Sequence, residues 1–275
     1  MTERTPQKHL HKTAERLSER DHSLLRLVRS SRFATTKQLA RFHAPRYASR
    51  ASALRQTSRA LKFLLEHALV STLERRIGGR RTGSTGFVWA LTPKGHRLLD
   101  ALDGRQPRRR YRPELEPSTA FLEHTLAVTE AHVLLEETAI AGKLDPIAFE
   151  SEPTCWRRYL GPNGVVTTLK PDAFVVTAVG DYEDRSFLEI DRATEALSVI
   201  VRKCLAYQEY RRSQQEQRQH GLFPAVIWVT PTQQRADQLA RRMRDEPGLA
   251  AGLFSVVALD GFVGRILAGP APPEA

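Results

Sequence analysis

The sequence predicts a two-domain α+β protein: a basic, mostly helical N-terminal domain with a small hairpin, then an α/β sandwich around a mixed sheet. Three observations predict it. The 275 residues suffice for two separate cores. Charge divides along the chain: residues 1–112 hold 26 basic and 8 acidic residues, whereas residues 113–275 hold 16 and 23. Apolar spacing is mainly helical to about residue 102, lapses through a proline-containing stretch at 103–117, and then alternates between helix and strand periods. A composition of 41% hydrophobic and 27% charged residues excludes collagen-like and wholly disordered chains. The apolar runs are too short to cross a bilayer, so no membrane partner is expected. The polar N-terminus has no signal-peptide core. Two cysteines build neither a disulfide framework nor a four-cysteine zinc site, and the expected location is the cytoplasm.

Residues 1–17 read as a flexible arm. Ser18 with Asp21 caps a first helix whose apolar face is Leu24, Leu25, Leu27 and Val28. Thr35 and Thr36 cap a short second helix through Phe42. After the Ala44-Pro45 break, a third helix over about 49–67 turns Ala53, Leu54, Ala60, Leu61, Leu64 and Leu65 inward. Residues 68–73 and 87–91 read as strands flanking the turn-rich segment IGGRRTGSTG, and Thr92-Pro93 opens a closing helix. Three helices, a two-stranded wing and a closing helix make a winged helix-turn-helix over 18–102. The segment LTPKGHRLLDAL (91–102) resembles the wing-exit helix of many bacterial winged-helix proteins. In that architecture the third helix enters the major groove and the wing lies on the backbone. The expected DNA-binding residues are Arg50, Arg55, Gln56, Arg59 and Lys62 on the helix, with Ser52 and Ser58 beside them. Arg75, Arg76, Arg80 and Arg81 belong to the wing, and Arg108, Arg109 and Arg110 to the basic linker at 103–117. Such side chains suit phosphates and guanine edges of double-stranded DNA. The alternative is a winged helix used for protein contact, its arginines a solvated face.

From 118 to 265 the pattern is helix (118–142), strand (147–152), a loop with Gly161, Pro162 and Gly164, strands at 168–178 and 186–191, helix (194–217), strand (224–230), helix (232–244) and strand (254–259). Residues 266–275 are a tail. Asp172 opens one strand, and Glu189 and Asp191 stand two apart on the next, projecting from one sheet face. A hairpin through Gly180 and Asp181 would bring the three carboxylates together. Such a cluster needs a counter-charge, and Mg²⁺ or Mn²⁺ is the usual one. Lys203 falls on an apolar and aromatic stripe with Ala196, Ile200, Tyr207 and Tyr210. Its two readings are an ammonium facing a scissile phosphate and a structural Lys–Glu or Lys–Asp pair.

The order Pro171-Asp172, strand, Glu189-x-Asp191, helix resembles the PD-(D/E)xK nuclease-like fold, a restriction-endonuclease-like α/β sandwich with a mixed sheet. The resemblance implies Asp172 and Glu189 as ligands of Mg²⁺, Glu123 on the preceding helix as a further carboxylate, and Asp172, Glu189, Asp191 and Lys203 as the catalytic set. Asp191 stands where that fold has its lysine; some members supply it from the next helix, where Lys203 lies. The wider layout, LSERDHSLLRLVRSSRFATTKQLARFH followed by FLEHTLAVTE, KPDAF, FLEIDRATE and K-x-x-x-Y, resembles the replication-relaxation family. These proteins belong to bacterial plasmids and integrative elements. Membership would imply work on double-stranded DNA in replication, relaxation or mobilisation, alongside replication or relaxase proteins. No P-loop or Rossmann glycine pattern supports nucleotide use. The pair His9-Leu10-His11 lies in the polar arm rather than on a strand that would present it to a metal. Three functions stay open at this level: a DNA-binding accessory factor, a metal-dependent nickase or endonuclease, and a winged-helix transcription regulator.

Overall fold

A computed structural model describes residues 13–73, 86–106, 117–162, 164–250 and 252–269. The structure is mixed α+β, and the chain divides into two units, Met1–Val133 and Leu134–Ala275. The division falls inside a helix, whereas the sequence places the domain junction at 103–117.

In the first unit, α1 (Glu19–Ser31) starts at a capping box: the Ser18 hydroxyl accepts from the Asp21 amide, and the Asp21 carboxylate accepts from the Ser18 amide. Thr35 and Gln38 repeat the device for α2 (Thr36–Phe42). A 3₁₀ turn, Ala44–Arg46, leads to α3 (Arg50–Glu66), capped by Ser49. Strands β2 (Val70–Leu73) and β3 (Val88–Leu91) pair antiparallel, and α4 (Pro93–Leu102) follows on the Thr92 cap. A third strand unforeseen in the sequence, β1 (Ala34–Thr35), pairs with β3 and gives the order β1-β3-β2. Leu24, Leu25, Val28, Leu39, Leu61, Leu64 and Leu98 fill the core between helices and sheet. Arg26 and Arg29 of α1 each meet Asp103, at 2.6 Å, just after α4. Burial pushes the Asp103 carboxyl up, but the two guanidinium groups outweigh it and hold it below the ordinary range.

Helix α5 (Thr119–Ile140) gives its first turns to this unit. Leu122 and Leu126 pack with Phe33, Val88 and Ala90. Gln38 Nε2 donates to the Leu126 carbonyl at 3.0 Å, and the Thr129 hydroxyl to the Phe33 carbonyl at 2.9 Å. A helix apolar on most of its circumference buries wherever apolar surface is offered, which its own periodicity does not specify.

Gly95 is the tightest backbone approach in this unit. A Cβ there would stand 2.2 Å from the Leu69 carbonyl oxygen, which cannot retreat because it also accepts from the Thr92 amide. Gly95→Ala is expected to cost about 1–3 kcal/mol. An unchanged urea midpoint would contradict this packing.

The second unit is built on a five-stranded mixed sheet. Strands β4 (Asp145–Ser151), β7 (Ala173–Val179) and β8 (Tyr182–Ile190) run antiparallel in turn. Strands β9 (Ala225–Thr230) and β10 (Phe254–Ala258) continue parallel to β8. Parallel neighbours need crossover connections; α6 (Leu197–Arg212) and α7 (Gln215–His220) lie between β8 and β9, and α8 (Gln233–Arg244) between β9 and β10. Gly180, at φ +59°, turns the β7–β8 hairpin.

Four sequence expectations are revised here. The segment read as a loop around Gly161 is a separate hairpin, β5 (Arg157–Leu160) with β6 (Val166–Leu169). The strand expected over 168–178 breaks at Lys170-Pro171-Asp172, because Pro171 offers no N–H to a ladder. The helix expected over 194–217 begins at Leu197 and is interrupted at Gln214, whose φ is +62°. The tail also starts later, since α9 (Phe262–Leu267) buries Phe262 and Ile266.

Candidate functional site

The residues singled out in the sequence gather in two places, one in each unit. In the first, α3 buries Ala53, Thr57, Ala60, Leu61 and Leu64. The 3.6-residue period therefore turns Arg55, Ser58, Arg59 and Lys62 to solvent together, with Arg50 exposed on the first turn and Gln56 half-buried. Positions 55, 59 and 62 lie one turn apart and form one cationic row. Among the described residues, Arg50, Arg55, Arg59 and Lys62 have no ion-pair partner. Arg75, Arg76, Arg80 and Arg81, and Arg108, Arg109 and Arg110, lie outside the described residues.

In the second unit, antiparallel register sets Ala173 opposite Leu188, and the residue before Ala173 falls beside the residue after Leu188. Asp172 and Glu189 are thereby neighbours on the sheet face that α6 covers. Parallel register places Trp228 of β9 beside Glu189 on its other side. One residue of α6 then decides the chemistry. Lys203 Nζ donates to Glu189 Oε2 and stands 3.7 Å from Asp172 Oδ1. It also lies 5.9 Å from the centre of the Trp228 ring, within reach of its π face. One turn further along α6, the Tyr207 hydroxyl donates to Glu189 Oε1 at 2.5 Å, and the Ile190 amide donates to Asp172 Oδ2 at 2.7 Å.

Glu189 is 1% exposed and Asp172 6%. Burial pushes the Glu189 carboxyl up, to about 8, against the pull of Lys203 beside it. Burial also disfavours the Lys203 charge, yet the Glu189 and Asp172 carboxylates outweigh it and hold the lysine above its ordinary range. Tyr207, fully buried against Glu189, is held well above the usual phenol range, first by desolvation and then by the carboxylate.

The structure thus brings Asp172, Glu189 and Lys203 together and gives Asp191 a different partner. Asp191 lies just beyond β8, where Arg235 of α8 grips it through Nε at 2.6 Å and Nη2 at 3.3 Å. The Ala193 amide donates to the same carboxylate at 2.8 Å, and Arg235 also reaches the Glu195 carbonyl at 2.7 Å. The bidentate fork ties the end of β8 to the start of α8. Glu123 is half-buried on α5, in the first unit. Sequence reasoning passed over Tyr207 as a partner of Glu189 and Arg235 as a partner of Asp191. The first had a signal, the four-residue spacing from Lys203; the second, 44 residues from its partner, had none.

A divalent cation needs several oxygen ligands with little competition. Here each carboxylate oxygen faces a protein donor, and among the described residues no three His, Cys, Asp or Glu side chains are grouped to hold a metal ion. The donor set does not fit Mg²⁺.

Cys155 and Cys204 are free and buried, and burial pushes both thiols up to about 12. Neither is expected to react with iodoacetamide at about pH 8 until the protein is unfolded; mass spectrometry of native and urea-treated samples reads this directly.

A family model described as replication-relaxation matches residues 25–226, well over half of the chain. Searches of curated proteins and of solved structures found no match. Among the described residues no helix is long and apolar enough to cross a membrane.

Proposed function

The chain belongs to the replication-relaxation family, and from that premise we propose that it is a DNA-binding protein of a bacterial plasmid or integrative element. In this reading it serves replication, relaxation or mobilisation of that element and works beside replication or relaxase proteins. The single observation that carries the proposal is the row Arg55, Arg59 and Lys62 on the solvent face of α3, without ion-pair partners among the described residues. Three stacked cations on one helix, in a part of the chain with 26 basic and 8 acidic residues, carry the charge that a duplex backbone attracts. The helix that follows a short capped helix and precedes the β2–β3 hairpin is the recognition element of a winged helix-turn-helix. Arg50 and Gln56 join it at the groove, and the cations of residues 75–81 and 108–110 extend the phosphate track.

The test is a mobility shift on linear duplex DNA at two salt concentrations. Binding that weakens steeply as salt rises supports the reading, and absence of any shift at low ionic strength refutes it.

A second reading, phosphodiester hydrolysis by the second unit, draws on one observation: Lys203 reaches Asp172 and Glu189 from α6, as the nuclease-like resemblance implies. The same preparation discriminates. Conversion of supercoiled plasmid to open circle with Mg²⁺, lost in Asp172→Ala, would establish scission; an intact supercoil after binding supports the binder.

A further inference from the structure

The carboxylates, Trp228 and Lys203 pose a question separate from DNA binding: what cation does this site accept? The surroundings of Lys203 Nζ answer by chemistry. Two carboxylates and the face of an indole surround the position. An aromatic face attracts an ammonium group through its quadrupole, whereas Mg²⁺ and Mn²⁺ require further oxygen ligands at about 2 Å. The remaining acceptor capacity is already engaged, Glu189 Oε1 by Tyr207 and Asp172 Oδ2 by the Ile190 amide. Asp191, the next carboxylate along the chain, is held by Arg235.

We propose that Lys203 is the resident cation of this site: its ammonium fills the position between Asp172 and Glu189 and excludes a divalent metal. The site is an internal ion-pair lock that fastens α6 to β8, with Tyr207 as its second bolt. Tyr207 is a positioning residue, since it holds Glu189 Oε1 and leaves Oε2 to the lysine. This inference is independent of the DNA-binding reading; either stands without the other.

The test is Mn²⁺ uptake by the full chain, followed as loss of the free Mn²⁺ signal in electron paramagnetic resonance. The wild type is expected to take up no more Mn²⁺ than Asp172→Asn. Lys203→Ala, which removes the ammonium and opens its place to an ion with its own waters, is expected to gain one equivalent per chain, and Lys203→Ala with Asp172→Asn to lose it again. Lys203→Arg keeps a cation in place and is expected to match the wild type. Uptake of one equivalent by the wild type that Asp172→Asn abolishes overturns the proposal. So does a folded Lys203→Ala, checked by circular dichroism, that gains no Mn²⁺. Should that variant not fold, Lys203→Ser, neutral and short, takes its place under the same two outcomes.

Discussion

Replacing Arg55, Arg59 and Lys62 together by alanine is expected to lower affinity for duplex DNA on the order of a hundredfold at moderate salt. The estimate follows from what each cation can do on a duplex. One on a phosphate releases counterions, and its loss reduces the slope of log affinity against log salt by about one. One on a guanine edge is worth about 1–3 kcal/mol of discrimination. The triple variant should therefore bind more weakly and show a shallower salt dependence. The fold should survive, because all three side chains are exposed and their helix is held by Ala53, Ala60, Leu61 and Leu64 on its opposite side. Anisotropy titrations at three salt concentrations measure affinity and slope together. Retained affinity with an unchanged slope would move the interface off α3. A lost affinity with the same slope would mean that the three cations contact bases alone.

Lys203→Met is expected to destabilise the protein by about 3–5 kcal/mol, the usual result of removing one partner from a buried ion pair. Glu189 and Asp172 would remain buried with no cation, and Tyr207 alone cannot neutralise them. Adding Glu189→Gln should recover much of the loss, because a neutral amide at that position no longer carries an unbalanced charge. A double-mutant cycle by urea denaturation reads the coupling.

The pH dependence has a definite sign. Burial lifts the Glu189 carboxyl above its ordinary value of 4.5, and removing Lys203 takes away the main opposing pull. A carboxyl whose pKa is higher folded than unfolded binds its proton more tightly in the native state, so its contribution is full at low pH and fades as pH rises through the folded value. The deficit of Lys203→Met relative to wild type should thus be smallest below about pH 8, where both proteins keep the Glu189 proton, and grow as pH rises above it. A deficit independent of pH would assign the loss to packing instead of charge.

Much of the fold was legible because it is decided locally. Ser18, Thr35 and Thr92 each sit three residues before an amide that they cap, and each starts a helix as expected. The β7–β8 hairpin was legible from Gly180 between two apolar runs, and with it the adjacency of Asp172 and Glu189. The β5–β6 hairpin was not: Gly161, Pro162 and Gly164 carry strong turn signals, and strands of four residues leave little alternation to read. The break at Gln214 has neither glycine nor proline to announce it.

By itself, then, the sequence determined where helices start, which face of α3 is cationic, and that acidic residues would gather at the mouth of one hairpin. Those features depend on residues within about four positions, or on a single turn, and need no knowledge of the rest of the chain. Only the tertiary structure decided which cation answers those acids. Lys203 reaches Glu189 across 14 residues and Arg235 reaches Asp191 across 44. Both pairings follow from how α6 and α8 pack on the sheet, and a charge has no way to declare its partner until that packing removes water from between them.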